Sequence, residues 1–379
     1  SFLKPFLSGR VAPFLAPFRW APSSHMSRAF VERATAKTAA LPLSSKTIGT
    51  HSGTFQCDEA LGCWLLRQLP EYAGASIVRS RDNTLLEKCD IVIDVGGVYD
   101  PTKLRFDHHQ RGFFETADGK QGEATKPEEA KGRWKTKLSS AGLVYKHYGR
   151  TIIRELTDAD ERDTEALWAE LYDRFLEGVD GIDNGIEVCE GSQRYKESSD
   201  LSSRVSRLNP LWNEASDHED QCARFEQASA LCGAEFLDVL GDLIAGWLPA
   251  RPLVREALAK RADVHSSGQI ICLSSGGMPW KDHLYALERE IGMANLVKFV
   301  LFTDQAGMWR VQAVTVEGTL FENRVSLLEP WRGLRDAALS DCAGIPECMF
   351  VHATGFIGGN KTYEGALAMA VRSLEDGGK

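Results

Sequence analysis

Two short runs of β-branched residues that break off at histidines, acids and glycines constrain this chain most. Residues 46–50 read as a strand, His51 begins a loop, and Cys57-Asp58-Glu59 stand where a helix would open. Residues 89–95 read as a second strand that runs through Asp94 into Gly96-Gly97, and Arg105-Phe106-Asp107-His108-His109-Gln110-Arg111 follows. A helix over 60–69 and a β run over 76–80 complete an alternation of strands and helices, which predicts a doubly wound α/β domain. Acids and histidines then fall at strand ends, the edge where open α/β sheets bind ligands.

Carboxylate oxygens suit Mn2+ or Mg2+, and imidazole is acceptable to manganese. The candidate ligands are His51, Asp58, Asp94, Asp107, His108, His109, Asp180 and Asp183. Asp94 has two oxygens and is able to bridge two ions. An ion pair of that kind activates water and neutralises charge on a phosphoryl group. Arg81 and Arg111 are suited to holding other phosphate oxygens bidentately. Taken singly, each residue has a plainer role. Asp58 and Glu59 suit a helix start through the dipole. Asp94 fits a strand end, and Asp107 to His109 fit a surface turn. Asp180 and Asp183, three apart, share one helical face. Their accumulation at strand ends is what points to a metal site.

The formal charge of −9 over 379 residues argues against a broad basic surface for duplex nucleic acid. It leaves room for an enzyme that holds a few phosphates through metal ions and arginines. Nine scattered cysteines without a CxxC pair suggest reduced thiols. No apolar run approaches a membrane span.

Residues 1–45 carry Lys4, Arg10, Arg19, Arg28, Arg33 and Lys37 against one acid, Glu32. This basic, acid-poor stretch reads either as a mitochondrial targeting segment or as a disordered tail, outside the catalytic core. Residues 46–190 form the expected catalytic domain, with a charged loop over 115–135 and small residues in a helix over 138–148. Residues 191–262 read as a helical connector. Its Asn209-Pro210-Leu211-Trp212-Asn213 stretch is either a substrate-facing or domain-connecting loop, or a structural turn with a packed Trp. Residues 263–379 read as a smaller α+β domain. Its run from His352 to Lys361 reads as a strand, a glycine-rich turn and a helix start, able to cradle an anion. Phe55, Trp134 and Phe356 either stack bases or belong to cores.

The stretches around His51 to Gly62, Ile91 to Gly97, Arg105 to Gln110 and Asp180 to Asn184 resemble the DHH phosphoesterase superfamily. More closely, nearly the whole chain after residue 46 resembles the melanocyte-proliferating-gene family of metal-dependent exonucleases. The similarity extends to Lys137-Leu138-Ser139-Ser140-Ala141-Gly142-Leu143, Glu329-Pro330-Trp331-Arg332-Gly333 and Gly355-Phe356-Ile357-Gly358-Gly359. The resemblance implies a DHH-like domain with a parallel sheet flanked by helices, plus an accessory substrate domain. It implies a 3′–5′ exonuclease acting on single-stranded RNA with two divalent ions, and a mitochondrial and nuclear or nucleolar location. Carried over, it makes His51 and Asp58 first-motif ligands, with Glu59 as a substitute because Cys57 occupies the usual first acid position. Asp94 becomes the bridge, and Asp107 and His108 lie nearest the second ion or its water. His109 orients the ligand layer or stabilises the leaving group. Asp180 is preferred to Asp183 as the fourth-motif ligand. In the accessory domain it implies His352, Gly358, Gly359, Asn360 and Lys361 as substrate contacts, joined by Arg310 and Arg332. A small-molecule phosphatase or pyrophosphatase, and an RNA-binding protein with an impaired metal site, are the competing readings. Oligomeric state is not legible.

Overall fold

A computed structural model describes residues 25–191, 193–319 and 321–376. The basic stretch over 1–24 lies outside the described residues. The described residues fall into two compact units, divided after Gly241. That boundary lies inside the stretch expected to act as a connector.

The first unit opens with helix α1 (His25–Ala39). Sequence predicts this region to lie outside the core, but Ser27, Phe30 and Ala34 are buried along one face of the helix. Lys37 pairs with Asp158 at 2.9 Å and Thr38 bonds Gln68 at 3.0 Å. The short side chains of one stripe let α1 approach closely: a Cβ on Gly241 would lie 2.6 Å from Ser27 Oγ.

Strands β1 (Thr47–Thr50), β2 (Ser76–Arg79) and β3 (Ile91–Ile93) follow, with β4 (Tyr99–Asp100) and β5 (Arg105–Phe106). The sheet order is β2-β1-β3-β5-β4. The first four strands in that order run parallel and β4 pairs antiparallel to β5. Ile91, Val92 and Ile93 are all buried, as a strand covered on both faces requires. Helices α2 (Cys57–Leu66), α3 (Asn83–Leu86), α4 (Ser140–Thr157), α5 (Glu161–Leu171) and α6 (Glu177–Asp183) accompany the sheet. A Cβ on Gly62 of α2 would meet Ile93 Cδ1 at 2.8 Å, so glycine lets this helix lie close over β3. Helices α7 (Leu201–Ser206) and α8 (His218–Asp242) close the unit. No cysteine forms a disulfide among the described residues.

In the second unit, helices α9 (Ala250–Ala259), α10 (Arg261–Val264) and α11 (Lys281–Glu290) join strands β6 (Ile270–Cys272), β7 (Phe299–Thr303) and β8 (Trp309–Ala313). Helix α12 (Asp336–Ala343), strands β9 (Cys348–Val351) and β10 (Ile357–Asn360) and helix α13 (Tyr363–Asp376) complete it. The strand order is β6-β7-β8-β10-β9, with only the β6–β7 pair parallel. The period of two divides the core between the sheet's faces. Ile270, Phe299 and Leu301 pack with Leu339 and Met369, whereas Ile271 and Val300 pack with Val254 and Leu284. Among the described residues, no helix is long and apolar enough to cross a membrane.

Candidate metal centre

The carboxyl ends of β1, β3 and β5 deliver His51, Asp94 and the 107–109 stretch to one edge of the first sheet. The first turn of α2 brings Asp58 and Glu59 there, both fully buried, and the last turn of α6 brings Asp183. Three donor groups result: His51, Glu59 and Asp94; Asp58, His108 and Asp183; and Asp94, His108 and His109. Within each group the donor atoms lie within 4.8 Å of one another. His51 Nε2 is 3.0 Å from Glu59 Oε1 and 3.3 Å from Asp94 Oδ2. His108 Nε2 is 3.5 Å from Asp94 Oδ1 and 3.2 Å from Asp183 Oδ2. The two oxygens of Asp94 therefore face different histidines, as a bridging carboxylate needs.

Helix geometry explains why Asp58 and Glu59 serve different groups. Consecutive residues point about 100° apart around the axis. Glu59 also receives the Gln56 backbone N–H at 2.9 Å, which fixes its side chain back toward the helix start. Asp94 has φ of 57°, a left-handed conformation uncommon for non-glycine residues and most accessible to Asp and Asn. Ser140 Oγ donates to its Oδ1 at 3.1 Å. His51 Nδ1 lies 3.3 Å from the Ser52 carbonyl and 3.3 Å from Arg81 Nη2. With Nδ1–H donated to that carbonyl, the Nε2 lone pair faces Glu59 and Asp94.

Two expected ligands occupy a supporting layer instead. Asp180 is fully buried, and its Oδ1 accepts the Ser139 N–H at 2.9 Å and the Ser139 hydroxyl at 2.7 Å. Its Oδ2 accepts the Tyr172 hydroxyl at 2.8 Å. Asp183, one helical turn on, is the acid that reaches the donor groups, so the expected preference between the two reverses. Gly142 belongs to this packing, because a Cβ there would lie 2.3 Å from Asp180 Oδ1. Asp107 accepts the Gly97 N–H at 2.6 Å and the His109 N–H at 2.9 Å. It also lies 2.9 Å from His109 Nδ1, which orients that ring, and it stands outside the three donor groups. Sequence reasoning misses Ser140 and Lys137 as neighbours of the site; only their place in the 137–143 stretch hints at it. Arg111 is exposed.

The electrostatics favour a cation. Burial pushes the Asp58 carboxyl well up, reinforced by Asp94, Asp183 and Glu59. Burial likewise raises Asp183, against an opposing pull from His108. Asp94 is raised by burial, but the neighbouring His108 and His51 imidazoles outweigh that and hold it below the usual carboxylate range. Burial disfavours charge on His51, yet Asp94 and Glu59 push its pKa up to about 10. Both oxygens of Asp58, both ring nitrogens of His108, and Oδ2 of Asp94 and of Asp183 are buried without a hydrogen-bond partner. Convergent orphaned acids at such a depth are costly unless protonated or paired with a cation. The donor set of carboxylates and imidazoles fits Mn2+ or Mg2+.

The second unit places its candidates differently. Gly358 and Gly359 lie inside strand β10, paired with β8 and β9, rather than in a turn. Their missing side chains make room for protein: a Cβ on Gly359 would lie 2.8 Å from Arg310 Nη1, and one on Gly358 3.0 Å from Leu327 Cδ1. Asn360 is fully buried, donates to the Pro346 carbonyl at 2.8 Å and accepts the Thr362 N–H at 2.9 Å, just before α13. Arg310 pairs with Asp304 and covers the Phe350 ring, and Arg332 donates to the Leu327 carbonyl at 3.0 Å. His352 and Lys361 are exposed. Phe55 and Trp134 are buried at 1% and 6% exposure, which removes them as stacking platforms, whereas Phe356 is half-buried.

A family model labelled MYG1 exonuclease and described as an uncharacterised protein family (UPF0160) matches residues 47–374. The MYG1 exonuclease of Bos taurus is 53% identical over 330 residues, covering 86% of this chain and 84% of its own. The MYG1 exonuclease of Homo sapiens is 52% identical over 332 residues, covering 86% and 85%. A solved RecJ from Thermus thermophilus, in complex with Mn2+, is 16% identical with a TM-score of 0.23. That match covers 93% of this chain but only 55% of RecJ, a likeness too slight to bear on the site. The family expected from the sequence resemblance is thus the one matched, over all but the ends of the chain: this protein belongs to the MYG1 exonuclease family.

Proposed function

We propose that this chain is a metal-dependent exonuclease that shortens single-stranded RNA from its 3′ end. The observation that carries the reading is the pair of adjacent, largely buried donor groups His51–Glu59–Asp94 and Asp58–His108–Asp183, which contain unpartnered acid and imidazole atoms. The names of the bovine and human relatives, each an exonuclease, support the same class. His51, Glu59 and Asp94 would hold one Mn2+ or Mg2+ ion, and Asp58, His108 and Asp183 a second beside Asp94. Two such ions supply charge neutralisation on the phosphoryl group and a more acidic water.

The chain's own residues do the rest. Ser140 and the left-handed backbone at Asp94 fix the shared carboxylate. Ser139 and Tyr172 lock Asp180 and so fix α6, the helix that carries Asp183. His109 has a side chain 61% exposed, and Asp107 engages its Nδ1. Its Nε2 is therefore the atom free to hold or release a proton toward the departing 3′ oxygen. Arg81, beside His51, supplies positive charge for a non-reacting phosphate oxygen. A cysteine at position 57, where the superfamily motif has an acid, does not empty the first donor group, because Glu59 fills it. We place the protein in mitochondria and in the nucleus or nucleolus, on the strength of its basic, acid-poor first 45 residues and the family resemblance.

The test is cleavage of 3′- and 5′-labelled single-stranded RNA and DNA with Mn2+, Mg2+ or chelator, using the parent protein and Asp58→Asn. Stepwise 3′ shortening of RNA that requires metal and Asp58 is the expected result. Shortening from the 5′ end, or equal use of DNA, would correct polarity or substrate. Turnover confined to small phosphate esters would replace the reading with a phosphatase. RNA binding without turnover under any metal would replace it with a binding protein.

A further inference from the structure

Among the described residues, the first unit presents two aromatic rings largely to solvent: Tyr195 is 76% exposed and Trp212 is 96% exposed. A single exposed aromatic is ordinary. What distinguishes Trp212 is how its loop is held. Asn209 Oδ1 accepts the Phe55 N–H at 2.9 Å, and Asn209 Nδ2 donates to the Phe55 carbonyl at 2.8 Å. One amide side chain thus satisfies both backbone groups of a residue lying between His51 and Asp58. Across Trp212, the Leu211 N–H donates to Glu214 at 3.1 Å, and Glu214 is paired with Arg224 of α8. The indole therefore stands on a loop fixed at both sides, while its own faces are open among the described residues.

The Tyr195 loop is tied to the same place. Arg207, at the end of α7, donates to the Ser198 carbonyl at 2.8 Å. Arg194 and Lys196 flank Tyr195, and both are exposed with no ion pair among the described residues. Three acids of the surrounding chain are already engaged: Asp200 caps α7 through the Ser203 N–H, Glu197 accepts the Ser199 N–H, and Glu214 has Arg224. Chain length bounds the separation from the metal centre. Asn209 to Trp212, and Phe55 to Asp58, each span at most about 11 Å, and the Asn209 side chain adds about 7 Å, so the Trp212 backbone lies within roughly 30 Å of Asp58. An exposed ring on a tethered loop, with a second exposed ring flanked by two cations, suits a single strand, whose bases present unpaired faces, better than a duplex.

We propose that Trp212, with Tyr195 as a second platform, stacks bases of the strand whose end occupies the metal centre. The inference rests on the nucleic-acid reading above, and it adds the track that selects a single strand and holds its body.

The experiment compares the full-length parent, Trp212→Ala and Trp212→Phe on a labelled single strand of about 12 nucleotides, a length within the range such surfaces hold. A dinucleotide serves as the short substrate. For Trp212→Ala, kcat/KM on the strand relative to the dinucleotide should fall about 5- to 100-fold, through KM, with Trp212→Phe recovering part of the loss. An unchanged strand-to-dinucleotide ratio overturns the proposal. Fluorescence anisotropy of the same strand in chelator is read in parallel and does not depend on turnover. If the parent cleaves neither substrate, the exonuclease reading falls; weaker strand binding by Trp212→Ala would then still uphold stacking, and equal binding, or none by the parent, would overturn it. A change in molar mass on Trp212→Ala, with strand binding intact, would assign the ring to a protein contact instead.

Discussion

The carboxyl edge of the first sheet and the β9–β10 region of the second unit look alike in sequence, since each pairs a strand with polar residues and glycines. They differ in whether their buried polar atoms find partners. Asp58 and His108 are buried with no hydrogen bond to any side-chain oxygen or ring nitrogen. Asn360, equally buried, has its amide fully engaged by Pro346 and Thr362. Burial without satisfaction marks a place built for something the chain does not itself contain. Burial with satisfaction marks architecture. The difference teaches that polar residues at strand ends become site candidates through their unmet valence, not their identity.

The sharpest way to break this contrast is to remove a donor from the unsatisfied region. Asp58→Asn and Asp94→Asn should each weaken Mn2+ binding by more than the roughly 10–100-fold typical of outer-layer partners. Titration calorimetry with folding checked by circular dichroism reads this; a folded variant that binds metal like the parent would remove that residue from the donor set. Asp180→Asn probes the supporting layer, and its expected loss in metal affinity is about 10–100-fold. No loss there would mean that the Ser139–Asp180–Tyr172 cluster carries packing alone.

Acidity should sharpen the contrast next. In the metal-free fold His51 is raised to about 10, so a proton occupies a nitrogen that a cation needs, and His108 is shifted in the same direction. Binding must expel that proton, and affinity should fall about tenfold per pH unit lowered for each proton released. Calorimetry between about pH 8 and about pH 6, repeated in buffers of different ionisation enthalpy, counts those protons. An affinity that does not change with pH would show that the histidines are already neutral. The satisfied region should respond in the opposite manner. Gly359→Ala crowds Arg310 and Phe350 and should cost about 1–3 kcal/mol of stability while leaving metal affinity as it was. A shift in metal binding would join the two regions functionally.

Much of the site is legible in the sequence, for identifiable reasons. His51, Asp94 and His108 stand at the ends of β1, β3 and β5, and a strand end is visible as the point where an apolar run stops. The choice between Asp180 and Asp183 is not legible, because residues three apart share a face and only the fit of α6 against Ser139 and Tyr172 separates them. Nor is the division of labour between Asp58 and Glu59, which depends on the direction each takes from the first turn of α2. Gly358-Gly359 reads as a turn in the sequence and is a strand in the fold. Glycine marks close approach as readily as reversal, and here the approach is made by Arg310 and Phe350. Among aromatics, sequence does not tell the buried Phe55 from the exposed Trp212, since exposure follows from tertiary neighbours.

Helix α1 has a consequence for maturation. Phe30 and Ala34 are interior residues of the first unit, even though they belong to the basic leading stretch that composition alone sets aside. If an import leader is removed from this protein, the peptidase has to cut upstream of Phe30. A cut downstream would strip the ring from beside Gly241 and leave a hollow, a change of the kind that costs about 3–5 kcal/mol. The processed form would then be marked by low yield and early melting rather than by altered chemistry.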